Sequence, residues 1–284
     1  MAMSRARFSR LWWNGLRPIA TSIVPPMAQV QVERADGVVT ITLSNPGKKN
    51  AMTVDAWQAL RDEAQRIATR TRHDRCVVLT GADGEFCSGQ DLWAGGSEEP
   101  MHQLTVMRLI NSCVQAWHDL PQPTIARVDG VAVGIGLNLA LSCDFVLASD
   151  RSRFSEIFAK RGLTLDGGGS WVVPRIVGLQ RAKELALFAE IITADDALAL
   201  GLVNRVVPAA ELDGLVEEWV GRLLALPPVA IAMTKKVLNR SFEQTFEQAL
   251  DDEARTQTVN MGTRDTPEAI RAFTERRTPT FEGH

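Results

Sequence analysis

The chain has 284 residues, which is enough for one large domain or for one domain with a small appendage. Its formal net charge is −3, so the strongly basic surface that is typical of nucleic-acid-binding proteins is not expected. No apolar run reaches the length of about 18 residues that a membrane-spanning helix needs, so no membrane segment is expected either.

The cysteines and histidines do not form the pattern of a metal site. The four cysteines lie far apart without a C-x-x-C pair, and the four histidines have no ligand spacing. The cysteines are Cys76, Cys87, Cys113 and Cys143. Isolated cysteines are typical of a reducing compartment, so the sequence predicts a cytoplasmic protein without zinc or disulfides.

The first 28 residues differ from the rest of the chain. They contain several arginines, and no acidic residue precedes Glu33. Such a segment is typical of an organellar transit peptide, which would place the protein in the mitochondrial matrix. We favour two other interpretations of this segment. It is either the product of an upstream start codon, with Met27 as the true first residue, or a disordered arm. We therefore treat residues 1–28 as an N-terminal extension outside the fold.

The predicted elements alternate between strands and helices over residues 29–148. In chain order they are a hairpin over residues 29–43 turning at Asp36-Gly37, a helix over 54–69, a strand over 76–80, a helix over 101–120, a strand over 124–128, a helix over 135–141 and a strand over 145–148. This alternation predicts an α/β protein with parallel strands joined by right-handed crossovers. By itself it equally fits a doubly wound sheet.

The pattern changes after Pro227-Pro228. Residues 229–240, 245–262 and 267–277 are predicted as three helices, with no strand signal between them. We therefore predict a core over residues 29–226 and a helical subdomain over residues 227–284.

Two short segments carry the chemistry. Phe-Cys-Ser-Gly-Gln-Asp-Leu at residues 86–92 and Asp-Gly-Val-Ala-Val-Gly-Ile-Gly-Leu-Asn at residues 129–138 are strand-like runs that end in small residues and lead toward a helix. Each leaves backbone N–H groups unpaired at a turn, and two such groups aimed at one point form an oxyanion hole. Together with Asn-Pro-Gly-Lys-Lys-Asn-Ala-Met at residues 45–52, the chain resembles the crotonase superfamily of enoyl-CoA hydratases and isomerases over roughly residues 29–281.

The resemblance implies a fold and two oxyanion donors. The expected fold is a crotonase-type spiral of repeated ββα turns, followed by the three-helix tail. The donors are the backbone N–H groups of Gln90 and Ile135, and the glycines beside them allow tight turns and close approach of a ligand. The expected assembly is a homotrimer or a dimer of trimers, with the helical tail over the active site or against a neighbouring subunit.

The resemblance also implies contacts with an acyl-CoA substrate, whose CoA moiety makes a separate cofactor unnecessary. The residues at the matching positions are Lys48, Lys49, Ala51, Ser88, Gly89, Gly134, Gly136, Phe158 and Arg276. Arg276 falls where relatives reach the CoA phosphate of a neighbouring subunit, and its planar guanidinium suits phosphate. The alternatives to CoA contact are that Lys48 and Lys49 are solvated loop residues and that Arg276 is an ordinary surface residue.

The acid and base residues depart from the hydratase pattern. Relatives that hydrate enoyl thioesters carry two glutamates, but the matching positions hold Asn138 and Phe158, which cannot transfer protons. Asp166 remains, in a segment that resembles the single-aspartate enoyl-CoA isomerases. The resemblance implies that Asp166 carries the proton in a Δ3,Δ2-isomerisation while the dienolate lies in the oxyanion hole. A helix N-cap is the alternative role for Asp166.

Other residues near these motifs receive minor roles. Apolar neighbours of Asp166, among them Phe158, Leu163 and Trp171, are expected to raise its pKa. Glu156 is expected to make a structural contact or to face water, and Asp91 to cap the segment that follows it. No histidine is placed to activate Cys87 as a nucleophile. The loop over residues 95–100 is expected to border the acyl pocket and to set its chain-length preference.

Two other functions remain open from the sequence. One is an enoyl-CoA hydratase that uses atypical acids. The other is a homologue that binds acyl-CoA or RNA without catalysis, against which the near-neutral charge argues.

Overall fold

The computed structural model describes residues 29–92 and 101–284. The predicted N-terminal extension and the predicted loop over residues 95–100 lie outside the described residues. The chain begins with an antiparallel hairpin of β1 (Val30–Ala35) and β2 (Val38–Leu43). Both turn residues have positive φ, 50° at Asp36 and 84° at Gly37, as Asp-Gly turns of this kind require. The hairpin prediction is confirmed.

The hairpin starts a six-stranded sheet with the order β1-β2-β3-β4-β6-β9. Its other members are β3 (Cys76–Gly81), β4 (Thr124–Val128), β6 (Phe145–Ser149) and β9 (Arg205–Val207). Every pair after the hairpin is parallel, as the strand–helix alternation predicts.

A second, three-stranded sheet distinguishes the fold from a doubly wound sheet. It consists of β5 (Val131–Val133), β7 (Arg153–Ser155) and β8 (Ile192–Thr193), in the order β5-β7-β8. After β4 and again after β6, the chain passes from the large sheet into this small one. Two strands in different sheets followed by a helix are the repeat of a ββα spiral, so the α/β spiral expectation is confirmed.

Seven helices complete the core in the described residues. They are α1 (Val54–Ala68), α2 (Gln103–His118), α3 (Ile135–Leu141), α4 (Gly169–Val177), α5 (Leu179–Phe188), α6 (Ala194–Leu200) and α7 (Leu212–Leu224). Short 3₁₀ helices occupy Ile157–Arg161 and Ala209–Glu211. Helix α2 is shorter than predicted: it starts after His102, whose ring accepts a hydrogen bond from the Leu104 N–H, and it ends before Asp119. Trp57 of α1 and Trp117 of α2 are fully buried in the core.

The C-terminal part is helical, as predicted. Its helices are α8 (Pro228–Arg240), α9 (Phe246–Met261) and α10 (Asp265–Glu275). Pro228 is the first residue of α8, and Thr245 and Gln248 form a capping box at the start of α9. Several large apolar side chains of this part are exposed, including Phe246 and Phe273. Within residues 29–92 and 101–284, no helix is both long and apolar enough to cross a membrane.

Candidate active site

The two glycine motifs meet at the edge of the small sheet. The Cys87 N–H donates to the Val131 carbonyl at 2.9 Å, and the Val133 N–H donates back to the Cys87 carbonyl at 3.0 Å. Gly136, in the first turn of α3, lies so close to Cys87 that an added Cβ would be 2.4 Å from the Cys87 oxygen. The segment leading to Gln90 therefore runs directly alongside β5 and the start of α3.

The peptide that carries the Gln90 N–H is held on its opposite side. The Met52 N–H donates to the Gly89 carbonyl at 2.8 Å, and the Asp91 N–H donates to the Met52 carbonyl at 2.9 Å. Because the C=O and N–H of a trans peptide point in opposite directions, the first of these bonds directs the Gln90 N–H away from Met52. Gly89 has a φ of 102°, which explains why glycine precedes the donor.

The peptide that carries the Ile135 N–H is held in the same way. The Asn138 N–H donates to the Gly134 carbonyl at 3.1 Å, so the Ile135 N–H points out of the start of α3. Gly134 has a φ of 56°. A Cβ on Gly89 would be 3.9 Å from the Ile135 nitrogen, so both donors border the same space. Within the described part of the chain, neither N–H donates a hydrogen bond. This is the arrangement that an oxyanion hole requires.

The Gln90 side chain connects this site to the core. Trp57 donates its indole N–H to the Gln90 Oε1 at 2.7 Å, and the Trp57 side chain is fully buried. A backbone donor alone would place little constraint on the side chain of residue 90. The amide of Gln90 nevertheless has a role, because it satisfies a buried indole donor, which would otherwise lack a partner.

Asp166 belongs to a loop that packs against α3. A Cβ on Gly167 would be 2.7 Å from the Ile135 side chain, and a Cβ on Gly169 would be 2.4 Å from the Asn138 Nδ2. Asn138 donates from this nitrogen to the backbone oxygen of Asp166 at 2.9 Å. The loop is therefore held beside the first turns of α3, next to the Ile135 donor.

The Asp166 carboxyl is partly buried and does not cap a helix. Helix α4 starts after Gly168, and no side chain caps it, so the N-cap alternative is wrong. Burial raises the pKa of Asp166 to about 6, and its Oδ1 is buried without a hydrogen-bond partner in the described residues. Leu163 is 52% exposed, so its expected contribution to this burial stays a prediction. Phe158, in contrast, is buried, and its ring would lie 3.6 Å from a Cβ on Gly134.

Glu156 is a member of this cluster that the sequence did not identify as one. It is only 2% exposed, and Asn138 donates to its Oε2 at 3.4 Å. Burial raises the pKa of Glu156 to about 8; the Asn138 hydrogen bond opposes this shift, and the charge of Asp166 adds to it. The side chain therefore does not face water. No local pattern indicates its burial, because the residue lies between a three-residue strand and a 3₁₀ helix.

Cys87 lies beside the oxyanion donors but has no nucleophilic character. It is fully buried, and burial raises its pKa to about 12, so a thiolate does not form at neutral pH. Within residues 29–92 and 101–284, no cluster of His, Cys, Asp and Glu side chains could hold a metal ion.

The predicted CoA-binding lysines are engaged in ion pairs. The Lys48 Nζ lies 2.7 Å from the Asp91 Oδ2, and the Lys49 Nζ lies 2.9 Å from the Glu85 Oε1. The segment that Asp91 was expected to cap continues outside the described residues. Both ammonium groups retain exposed surface, so contact with CoA phosphates stays a prediction.

The loop around these lysines forms one wall with the Gln90 segment. The Ser88 hydroxyl donates to the Lys48 carbonyl at 2.9 Å, and the Ala51 N–H donates to the same carbonyl at 3.1 Å. Asn50 has a φ of 57° and donates to the Glu85 carbonyl at 2.7 Å. The predicted substrate-binding positions Ala51 and Ser88 therefore lie close together, since both donate to the Lys48 carbonyl.

Arg276 is not brought to the site within this chain. It ends α10 with a φ of 55°, and its side chain is exposed and makes no hydrogen bond or ion pair with another described residue. Its predicted contact with the CoA of a neighbouring subunit stays a prediction.

Comparisons with known proteins match nearly the whole described chain. Residues 33–284 match the family described as enoyl-CoA hydratase/isomerase. A Rhodobacter capsulatus protein named a probable enoyl-CoA hydratase is 35% identical over 89% of this chain and 98% of its own length. The 1,2-epoxyphenylacetyl-CoA isomerase of Escherichia coli is 34% identical over 87% of this chain and 95% of its own length. A Thermobifida fusca protein solved in complex with CoA is 33% identical, with a TM-score of 0.75 over 82% of this chain and 93% of that one.

Proposed function

Because this chain belongs to the enoyl-CoA hydratase/isomerase family, we propose that it is an enoyl-CoA isomerase that moves a double bond from C3 to C2 of an acyl-CoA thioester. The observation that carries the proposal is the pairing of two aligned backbone donors with Asp166, whose carboxyl is partly buried and unpaired within the described residues.

The reaction follows from this arrangement. The thioester carbonyl oxygen accepts hydrogen bonds from the Gln90 and Ile135 N–H groups. The Asp166 carboxylate removes a proton from C2, and the electron pair moves onto the carbonyl oxygen to give a dienolate. The same carboxyl returns the proton at C4, the C3–C4 double bond becomes a C2–C3 double bond, and the carbonyl re-forms. Donors of this kind contribute roughly 3–4 kcal/mol each to the stability of the developing oxyanion.

The pKa of Asp166 supports this role. With a pKa of about 6, the group is mostly ionised at neutral pH and can accept a proton, but it is a stronger base than an ordinary aspartate. Its protonated form can then return the proton to the dienolate. A single group of this kind is sufficient for a 1,3-proton shift, whereas hydration needs an acid and a base on either side of a water molecule.

Enoyl-CoA hydration is the alternative, and two observations favour it. The Rhodobacter capsulatus relative is named a probable hydratase, and a second carboxyl, that of Glu156, meets Asp166 at Asn138. Against hydration, Glu156 is 2% exposed and lines a small cavity of about 10 Å³ with apolar neighbours, so its carboxyl has little access to a substrate water. Asn138 and Phe158 occupy the positions where hydratases carry glutamates.

Product analysis separates the two reactions. Purified protein is incubated in parallel with a 3-enoyl-CoA and with a 2-enoyl-CoA, and the 2-enoyl and 3-hydroxyacyl products are quantified by mass spectrometry. We expect isomerisation to exceed hydration by at least about 100-fold, since Asp166 is the one accessible proton carrier among the described residues of the site. Hydration at a rate comparable with isomerisation would overturn the proposal in favour of a hydratase.

We also propose a cytoplasmic protein that forms a homotrimer or a dimer of trimers and needs no cofactor beyond the CoA of its substrate. Exposed aromatic residues on the C-terminal helices, 80% at Phe246 and 87% at Phe273, support assembly through this part. Light scattering should give three or six times the mass of one chain, and a monomer would contradict the assembly.

A further inference from the structure

Three buried oxygens without hydrogen-bond partners belong to one group of side chains. They are the Oδ1 of Asn138, the Oε1 of Glu156 and the Oδ1 of Asp166, each without a donor within the described residues. Asn138 joins the three residues, because its Nδ2 donates both to the Glu156 carboxyl and to the Asp166 backbone. Buried polar atoms normally have partners, so a cluster of three acceptors requires an explanation.

No cation of the described residues pairs with Glu156. It lines a cavity of about 10 Å³ together with Ser155 and apolar side chains from α3, β7, α4, α5, β8 and the segment after α6. These apolar residues are Leu137, Phe154, Val173, Leu185, Ile192 and Leu202. Among the described residues, Asp166 is the charged group that acts electrostatically on Glu156. An ionised Glu156 would therefore be a buried charge with a like charge as its neighbour.

A proton on Glu156 eases both problems. It removes the buried negative charge, and it converts one of the three acceptors into an O–H donor. The Asn138 amide can then donate to the Asp166 backbone without being drawn to a carboxylate. Asp166 remains free to ionise, because its neighbour carries no charge.

We propose that Asn138 and a protonated Glu156 are positioning residues that hold the Asp166 loop beside the Ile135 donor; this inference rests on the proposed isomerisation. Asn138 fixes the backbone of Asp166, and Glu156 fixes Asn138 from the other side. When Glu156 loses its proton, its charge attracts the Asn138 N–H groups and opposes the negative charge of both Asp166 and the dienolate.

The role predicts a distinct pH dependence. In the wild type, kcat should fall as the pH rises through about 8, where Glu156 ionises. Glu156→Gln keeps the volume and can still accept from Asn138, but it cannot ionise. We expect its kcat at neutral pH to stay within about threefold of the wild type, and its alkaline decline to move upward by at least about one pH unit. The control is Glu190→Gln, an exposed carboxyl that pairs with Lys160.

A second variant tests positioning separately from charge. Glu156→Leu cannot accept from Asn138, so kcat should fall by about tenfold or more while KM stays within about twofold. Recovery of kcat in Glu156→Gln supports the proposal. Superimposable pH profiles of the wild type and Glu156→Gln, or equal activities of Glu156→Leu and Glu156→Gln, would overturn it.

Failure of the proposed function would look different. If the wild type does not turn over any 3-enoyl-CoA, the isomerase assignment fails, but urea unfolding still tests the state of Glu156. Because folding raises the pKa of Glu156 above its ordinary value of 4.5, the folded state keeps its proton longer. The free energy of unfolding should then decrease as the pH rises toward about 8, and this decrease should be smaller in Glu156→Gln. An identical pH dependence in both proteins would contradict the inference.

Discussion

Gly136→Ala tests whether the contact between α3 and Cys87 keeps the two oxyanion donors together. The added Cβ would lie 2.4 Å from the Cys87 oxygen and 2.9 Å from the Cys87 Cβ. Separations this short are not tolerated, so either α3 or the segment leading to Gln90 must shift. The backbone itself accepts alanine, because Gly136 is a helical residue and not one of the positive-φ glycines.

The contact predicts a larger loss of activity than of stability. Overpacking costs about 1–3 kcal/mol of folding free energy, of which up to about 1 kcal/mol is offset by the better helix propensity of alanine. Displacing one oxyanion donor costs about 3–4 kcal/mol in the transition state, or roughly 100- to 1,000-fold in kcat. We therefore expect kcat to fall by at least about 100-fold, while the free energy of unfolding falls by about 2 kcal/mol or less.

The matched control is Gly214→Ala in α7, where a Cβ would meet nothing within 4 Å. It should leave kcat unchanged and raise the free energy of unfolding by up to about 1 kcal/mol. The assays are steady-state isomerisation of a 3-enoyl-CoA and urea unfolding. A folded Gly136→Ala enzyme with kcat within twofold of the wild type would refute the argument that this contact positions the donors.

Three further predictions concern the site. Trp57→Phe removes the indole donor to Gln90 and should lower kcat by about 2- to 10-fold with little change in KM, as measured by steady-state kinetics. An unchanged kcat would show that this hydrogen bond does not affect the backbone donor of Gln90. Because Asp166 must be ionised to accept a proton, kcat/KM should rise with pH through about 6 and be low in more acidic buffer; a flat profile between pH 5 and 7 would exclude a base with this pKa. All four cysteines are buried, so iodoacetamide should not label the folded enzyme, as measured by mass spectrometry, and should leave its activity unchanged. Rapid labelling of Cys87 would contradict its buried position.

Much of the fold could be predicted from local patterns. The Asp36-Gly37 turn, the apolar period of α1 and the prolines at the start of α8 are local physical signals, and each element is present within a few residues of its prediction. The small sheet could not be predicted in this way. Its strands β5 and β7 have three residues each and β8 has two, which is too short for a period to be recognised.

The site was predictable where backbone geometry determines the residue type. Glycines at 89, 134 and 136 are required by positive φ or by close contact, so the donors at Gln90 and Ile135 could be located from the sequence. The contacts around them could not be located. The Trp57–Gln90 hydrogen bond joins residues 33 positions apart, and the Asn138–Asp166 bond joins residues 28 positions apart. Such pairs depend on how the spiral packs, which local propensity does not specify.

The role of Asp166 as the proton carrier is tested by the kcat of Asp166→Asn for isomerisation of a 3-enoyl-CoA at neutral pH. The substitution keeps the shape of the side chain and the backbone oxygen that Asn138 binds, but it removes the only proton carrier that the mechanism uses. We expect a loss of about 100- to 10,000-fold in kcat with KM close to that of the wild type. A folded Asp166→Asn enzyme that isomerises the substrate within tenfold of the wild-type rate would contradict it.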